Sequence, residues 1–185
     1  MPGSGTGEPI TFAAEFTVED GTGLAAANTY ATVAEADTYL MTVYGPSTAW
    51  AGLDTEQKQT DLIQATQYLD AVYQGRWRGA RAQATQALAW PRNSGEDDDG
   101  FVIPFDSVPQ KLKDACCELA LRVASGDVLL GVVTETGGVI QESKSVGPIT
   151  VSRTYAGAKP AGYEYPKIDK LLKSLIQVGG RLYRG

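Results

Sequence analysis

The sequence predicts a mainly α protein: a small bundle of about four helices with a β-hairpin and an N-terminal extended strand. Three observations predict it. Apolar residues recur at spacings of three and four on three separate segments, Leu62-Ala65-Leu69-Val72, Leu112-Cys116-Leu119-Val123 and Ile168-Leu171-Leu172-Leu175-Ile176, the signature of helices with one buried face. Helix-start signals precede such segments. Two β-prone runs, 139–146 and 149–155, flank Gly147-Pro148, as a hairpin requires.

In chain order, the first nine residues are rich in Gly and Pro and have little reason to order themselves. Ile10, Phe12, Ala14, Phe16 and Val18 then alternate with polar or small residues, giving a strand with one buried face that Asp20-Gly21-Thr22-Gly23 ends. It has no obvious partner nearby in sequence, so Ile10, Phe12 and Phe16 are candidate subunit contacts, with strand addition to a neighbouring copy favoured over pairing within the domain. Thr32-Val33-Ala34-Glu35 has the spacing of a capping box and starts a first helix that runs to about Tyr44, where Gly45-Pro46 stops it. Asp54 or Thr55 opens the second, whose stripe makes it the best core helix. Pro109 suits the first turn of the third, which Gly126 can end. Tyr165-Pro166 opens the last. The chain thus divides into an extension at 1–15, a helical domain at 16–176 with its hairpin at about 139–155, and a tail at 177–185.

Composition narrows the function. Apolar residues make up 43% of the 185 and charged residues 21%, ordinary globular usage that supports one core. No apolar run approaches the ~20 residues needed to cross a bilayer, and a soluble, cytosolic product is expected. Histidine is absent, which removes the commonest general base and a favoured zinc ligand. The only cysteines, Cys116 and Cys117, are neighbours and cannot staple a long loop. No enzymatic activity, cofactor or metal is expected. Glu96-Asp97-Asp98-Asp99-Gly100 lacks the alternating oxygens and distal Glu of a calcium loop and reads as a solvated turn.

Charge is distributed unevenly. Residues 159–185 carry six basic groups against Glu164 and Asp169, a local +4 that leaves the rest of the chain at −10 for a total of −6. An acidic body disfavours sequence-independent nucleic-acid binding unless basic residues gather locally. They gather at two places. Arg76, Arg78 and Arg81 surround Trp77 and could touch a phosphate backbone while Trp77 or Tyr73 stacks on a base; the alternative is a packed Trp ringed by solvated or carboxylate-paired arginines. On the last helix Lys167, Lys170 and Lys173 recur every three residues beside the apolar face, and Arg181, Leu182, Tyr183 and Arg184 follow Gly179-Gly180. That segment reads as a core helix with a solvated back, a protein-docking helix, a nucleic-acid contact or a membrane-surface helix; a hinged basic-aromatic tail favours docking into an acidic partner.

The motifs also occur in a familiar order: Val18-Glu-Asp-Gly-Thr-Gly-Leu24, Asn28-Thr-Tyr-Ala-Thr-Val-Ala-Glu-Ala-Asp37, Ala65-Thr66 with Leu69-Asp70, Gln86-Ala-Leu-Ala-Trp-Pro-Arg92, Val108-Pro109, Glu118-Leu-Ala-Leu121, Lys144-Ser-Val-Gly-Pro148 and Tyr165-Pro166 with Asp169. Over residues 16–176 this series resembles the tailed-phage head-to-tail connector adaptors often labelled DnaT-like single-stranded-DNA-binding proteins. The resemblance implies a virion protein of the phage neck, made in the host cytoplasm. It implies a homo-oligomeric ring, commonly a dodecamer, that binds the portal protein on one side and the tail or a second neck protein on the other. Duplex DNA would pass through the ring, no membrane is involved, and Lys167, Lys170, Lys173 and the tail residues Arg181 to Arg184 would meet the portal. A single-stranded-DNA-binding replication accessory is the alternative, with Arg76, Trp77, Arg78 and Arg81 as its DNA contact. The resemblance carries no catalytic motif, and residues 1–15 precede its usual start.

Overall fold

A computed structural model describes residues 15–97, 99–129, 141–146, 149–154 and 165–177. Four helices carry the fold. Helix α1 (Val33–Tyr44) starts at the expected capping box: the Thr32 hydroxyl accepts from the Glu35 amide at 3.1 Å, and the Glu35 carboxylate accepts from the Thr32 amide at 2.7 Å. Helix α2 (Thr55–Val72) repeats the device with Asp54 and Gln57. Between them a 3₁₀ turn at Ala49–Gly52 inserts Trp50 into the core, its indole N–H donating to Asp37 at 2.7 Å. Helix α3 (Gln110–Ala124) follows Pro109, whose fixed φ suits a helix entrance, and Gly126 just beyond its end takes a φ of +97°. Helix α4 (Pro166–Leu172) has Pro166 in its first turn.

Helix α3 is the centre. It packs against α1, α2, α4 and the 3₁₀ turn, and its Leu112, Ala115, Cys116, Leu119 and Ala120 have no exposed surface. Leu62, Ala65 and Leu69 of α2 meet it, the alanines letting the two backbones come close. Each leucine buried this way contributes about 2 kcal/mol. Cys116 lies 3.3 Å from the Thr66 hydroxyl, and burial pushes its thiol up to about 11; burial likewise raises the Cys117 thiol. Both cysteines are small core residues.

Three expectations need correction. Val72 closes its stripe in sequence yet is 40% exposed, because α2 ends there. Helix α4 stops at Leu172; Leu175 and Ile176 still reach the core, but through a turn that sets Ile176 antiparallel to Trp77. Of the expected N-terminal strand the described residues 15–18 show only an isolated bridge, and it lies within the chain: Val18 bridges Thr29 in parallel and Glu19 donates its amide to the Thr29 carbonyl at 2.9 Å. Phe16 is accordingly half-buried against the core of its own chain, while Ile10 and Phe12 fall outside the described residues. The hairpin is present as β3 (Gln141–Val146) and β4 (Ile149–Thr154), antiparallel from Gln141 opposite Thr154 to Val146 opposite Ile149. A shorter pair, β1 (Ala80–Arg81) with β2 (Arg92–Asn93), was not foreseeable from such brief segments.

The Glu-Asp-Gly-Thr-Gly-Leu run acquires a structural reason. Glu19 is buried, and its carboxylate accepts from the amides of Gly21, Gly23 and Leu24, each at 2.9 Å. Gly21 takes a φ of +103°, and a Cβ there would sit 2.2 Å from the Asp106 carbonyl oxygen. The charge that burial would penalise is thereby solvated by backbone donors.

Asp61 on α2 is a contrasting case. It is 9% exposed, and burial raises its carboxyl from 3.8 to about 6. Between pH 4 and 6 the folded chain therefore holds this proton more tightly than the unfolded chain, so the Asp61 contribution to stability is present at low pH and is lost as the pH rises through 6. Asp61→Asn should be neutral near pH 4 and stabilise by about 1 kcal/mol above pH 6, which urea unfolding of both proteins across that range would measure.

Candidate functional site

The basic-aromatic segment folds around a half-buried carboxylate. Asp70 sits in the last turns of α2 and accepts from the Tyr30 hydroxyl at 2.5 Å and from the Ala89 amide at 2.9 Å; the Trp90 amide donates to the same Tyr30 oxygen at 3.3 Å. Burial raises the Asp70 carboxyl, against which the two hydrogen bonds and the charges of Arg81 and Arg92 pull it down. Burial and the Asp70 charge also raise the Tyr30 hydroxyl. Trp90 is wholly buried and joined to Pro91 by a cis peptide. Trp77 packs edge-on against it, with ring centroids 6.0 Å apart and planes at 88°, and Tyr73 packs on Trp77 at 5.5 Å.

The cluster is therefore aromatic on the inside. Trp77 is 4% exposed and Tyr73 3%, and the Tyr73 hydroxyl donates to Asp169 of α4 at 2.7 Å, so neither ring presents a face on which a base could stack. The guanidinium groups reach backbone carbonyls. Arg78 donates to the carbonyls of Ile176 at 3.1 Å and Glu96 at 3.0 Å, and Arg81 to that of Gln86. Arg92 donates to three carbonyls, those of Arg78, Ala89 and Gly79, at 2.7–3.1 Å. Arg76 lies over the Tyr73 ring, 5.0 Å from its centroid, and remains exposed. The arginines thus stitch loops together. Beside them opens a cleft of about 480 Å³ lined by Asp70, Gln74, Trp77, Arg81, Ala89 and Arg92.

The second basic group divides in a similar way. Glu118 on α3 is 3% exposed and collects the Tyr39 hydroxyl at 2.9 Å, the Tyr44 hydroxyl at 2.7 Å and the Lys167 ammonium at 2.5 Å; Lys167 also donates to Tyr44 at 2.8 Å. Partial burial lowers the Lys167 ammonium, but these bonds outweigh it and hold the group above its ordinary value. Lys167 is therefore a brace between α4, α3 and α1, with its side chain still about half exposed at 47%. Lys170 and Lys173 are exposed, and Arg181, Leu182, Tyr183 and Arg184 lie outside the described residues. Sequence reading missed Arg92, Tyr39, Tyr44 and Glu118 as structural partners. A signal existed for Glu118, a carboxylate between Cys116-Cys117 and Leu119-Ala120 on the buried side of a stripe. Among the described residues no cluster is suited to hold a metal, and no helix is long and apolar enough to cross a membrane.

Residues 14–185 match the family model whose description reads "Putative DnaT-like ssDNA binding protein". The chain belongs to this family. The match runs past 176 to the last residue, so the C-terminal tail is part of what the family shares, whereas residues 1–13 lie outside it. No curated protein and no solved structure matches the chain.

Because Lys167 compensates a buried carboxylate, Lys167→Ala should lower stability by about 1–2 kcal/mol at pH 7, while Lys170→Ala should change it by less than about 0.5 kcal/mol. Urea unfolding distinguishes the two.

Proposed function

We propose that the protein is a structural adaptor in the neck of a tailed phage, one subunit of a ring, commonly twelvefold, that joins the portal to the tail around the DNA channel. It performs no catalysis and needs no cofactor. The observation that carries this reading is the use of the basic-aromatic cluster inside the fold: Trp77, Tyr73 and Trp90 pack on one another, and Arg78, Arg81 and Arg92 donate to backbone carbonyls. What would serve a DNA binder instead serves packing. The acidic body supports the same reading, since a conduit for sliding duplex DNA is better served by weak phosphate contacts than by strong ones repeated around a ring. The exposed Lys170 and Lys173, with Arg181 and Arg184 of the tail, supply the portal-facing charge.

A second reading, a single-stranded-DNA-binding replication accessory, is favoured by the description of the family. It requires binding that weakens steeply with salt.

Removing residues 177–185, or replacing Lys170, Lys173, Arg181 and Arg184 by Glu, should leave the chain folded and reduce its recovery with portal-bearing particles. Normal tail joining by that variant would remove the docking role. Titration of a fluorescent oligothymidylate at low salt should show no saturable binding; binding that disappears on adding salt and on Arg76→Ala would instead establish the second reading.

A further inference from the structure

We infer that the cleft beside the end of α2 takes a carboxylate side chain from an acidic segment of a protein partner, and that Arg81 and Arg92 hold it. The inference goes beyond the adaptor reading and rests on it only for which protein supplies the segment; the site itself belongs to this chain.

The register of the short sheet creates the site. Arg81 on β1 stands directly opposite Arg92 on β2, so the pairing sets two guanidinium-bearing side chains beside each other. Like charges in opposed positions of a sheet repel. Both arginines line the same cleft of about 480 Å³, within the range of about 300–1,000 Å³ typical of ligand sites. Asp70 supplies the one carboxylate of the lining. Its two oxygens already accept from the Tyr30 hydroxyl and the Ala89 amide, and against two arginines it leaves one positive charge over. Burial lowers the Arg92 guanidinium from its ordinary value and the Arg81 charge adds to that, while Tyr30 and Asp70 pull it back only in part.

An anion between the two arginines removes this repulsion. Arg92 is fixed for the task, since its Nε, Nη1 and Nη2 each hold a carbonyl and so set the plane of the guanidinium. Arg81 holds only the Gln86 carbonyl, through Nη2; its Nε and Nη1 have no partner among the described residues and are free to donate to a carboxylate. Ala71 and Leu88 give the stem of an acidic side chain an apolar wall. A single carboxylate balances the surplus charge, whereas a nucleic acid would set several phosphates beside Asp70 and find no ring to stack on, because Trp77 and Tyr73 are buried. The position suits a docked protein. Gly75 and Trp77 of the lining flank Arg76, whose carbonyl accepts from the Gln177 amide, so the basic tail continues from the rim of the cleft. A partner acidic enough to attract Arg181 and Arg184 brings carboxylates to Arg81 and Arg92.

Nuclear magnetic resonance of the full-length protein tests the site, because Trp77 lines the cleft whereas Trp50 is bonded to Asp37 of α1 and serves as the internal control. A short polyglutamate peptide should saturably shift the Trp77 indole and the Arg81 and Arg92 Nε–H signals and leave Trp50 unmoved; the matched glutamine peptide should shift none of them. Arg81→Gln should weaken this binding about tenfold. Since Arg81 also holds the Gln86 carbonyl, Ala71→Glu is the second variant: it sets a competing carboxylate at an exposed position of α2, and should weaken binding as much with the urea midpoint unchanged. No saturable shift, unchanged binding in both variants, or equal shifts from inorganic phosphate or an oligothymidylate would overturn the inference. So would equal shifts from a peptide of residues 178–185, which would assign the cleft to the chain's own end. Absence of the protein from virions, with the polyglutamate shifts intact, would overturn the adaptor reading and leave this site standing.

Discussion

The carboxylate of Asp70 ties together three stretches of chain. It anchors the Tyr30 hydroxyl from the segment before α1 and the Ala89 amide from the Trp-Pro loop, both onto the end of α2. Partly burying a carboxylate is costly, and here the cost is offset only in part by two hydrogen bonds and by the nearby Arg81 and Arg92, so the carboxyl stays above its ordinary value. With the loop fixed, Trp90 enters the core, Trp77 finds an edge to pack on, and Ile176 finds Trp77 as its bridge partner. The order of events is spatial: loss of Asp70 would loosen the aromatic cluster first and the attachment of the C-terminal segment next.

The helices were legible because their causes are local. Thr32 with Glu35, and Asp54 with Gln57, announce helix starts within four residues, and the apolar spacing on α2 and α3 names Leu62, Leu69, Leu112 and Leu119 as core. The hairpin was legible for the same reason, through Gly147-Pro148 between two β-prone runs. What escaped depends on partners far along the chain. Nothing near Arg78 indicates that Ile176 and Glu96 will offer it carbonyls, and nothing near Lys167 indicates Glu118. Three lysines at equal spacing looked equivalent, and only the tertiary fold separates the one that braces α3 from the two that face water. The short α4 escaped because Ile168, Leu172, Leu175 and Ile176 satisfy helical spacing whether or not the backbone continues as a helix.

Three buried acids show how this chain handles charge. Glu19 is solvated by three amides of its own loop, Glu118 by two tyrosines and a lysine, and Asp61 holds its proton more tightly instead. The first two lock local geometry, since each donor must come from a set direction. Among the described residues Glu19 and Glu118 are the acids with least exposed surface, whereas Glu96 and Asp99 are exposed.

The way residues 175–177 are held has a mechanical consequence. Residues 175–177 lie antiparallel to 76–78, through the Arg78 amide on the Leu175 carbonyl at 3.0 Å and the Gln177 amide on the Arg76 carbonyl at 2.7 Å, with the Arg78 side chain on Ile176 between them. Tension applied beyond Gln177 along the strand direction loads these bonds in shear, together, rather than peeling them one at a time. Because Trp77 is the residue being pulled against, the load passes directly to the Trp77–Trp90 pair and so into the bundle, where a subunit under strain would resist as a unit.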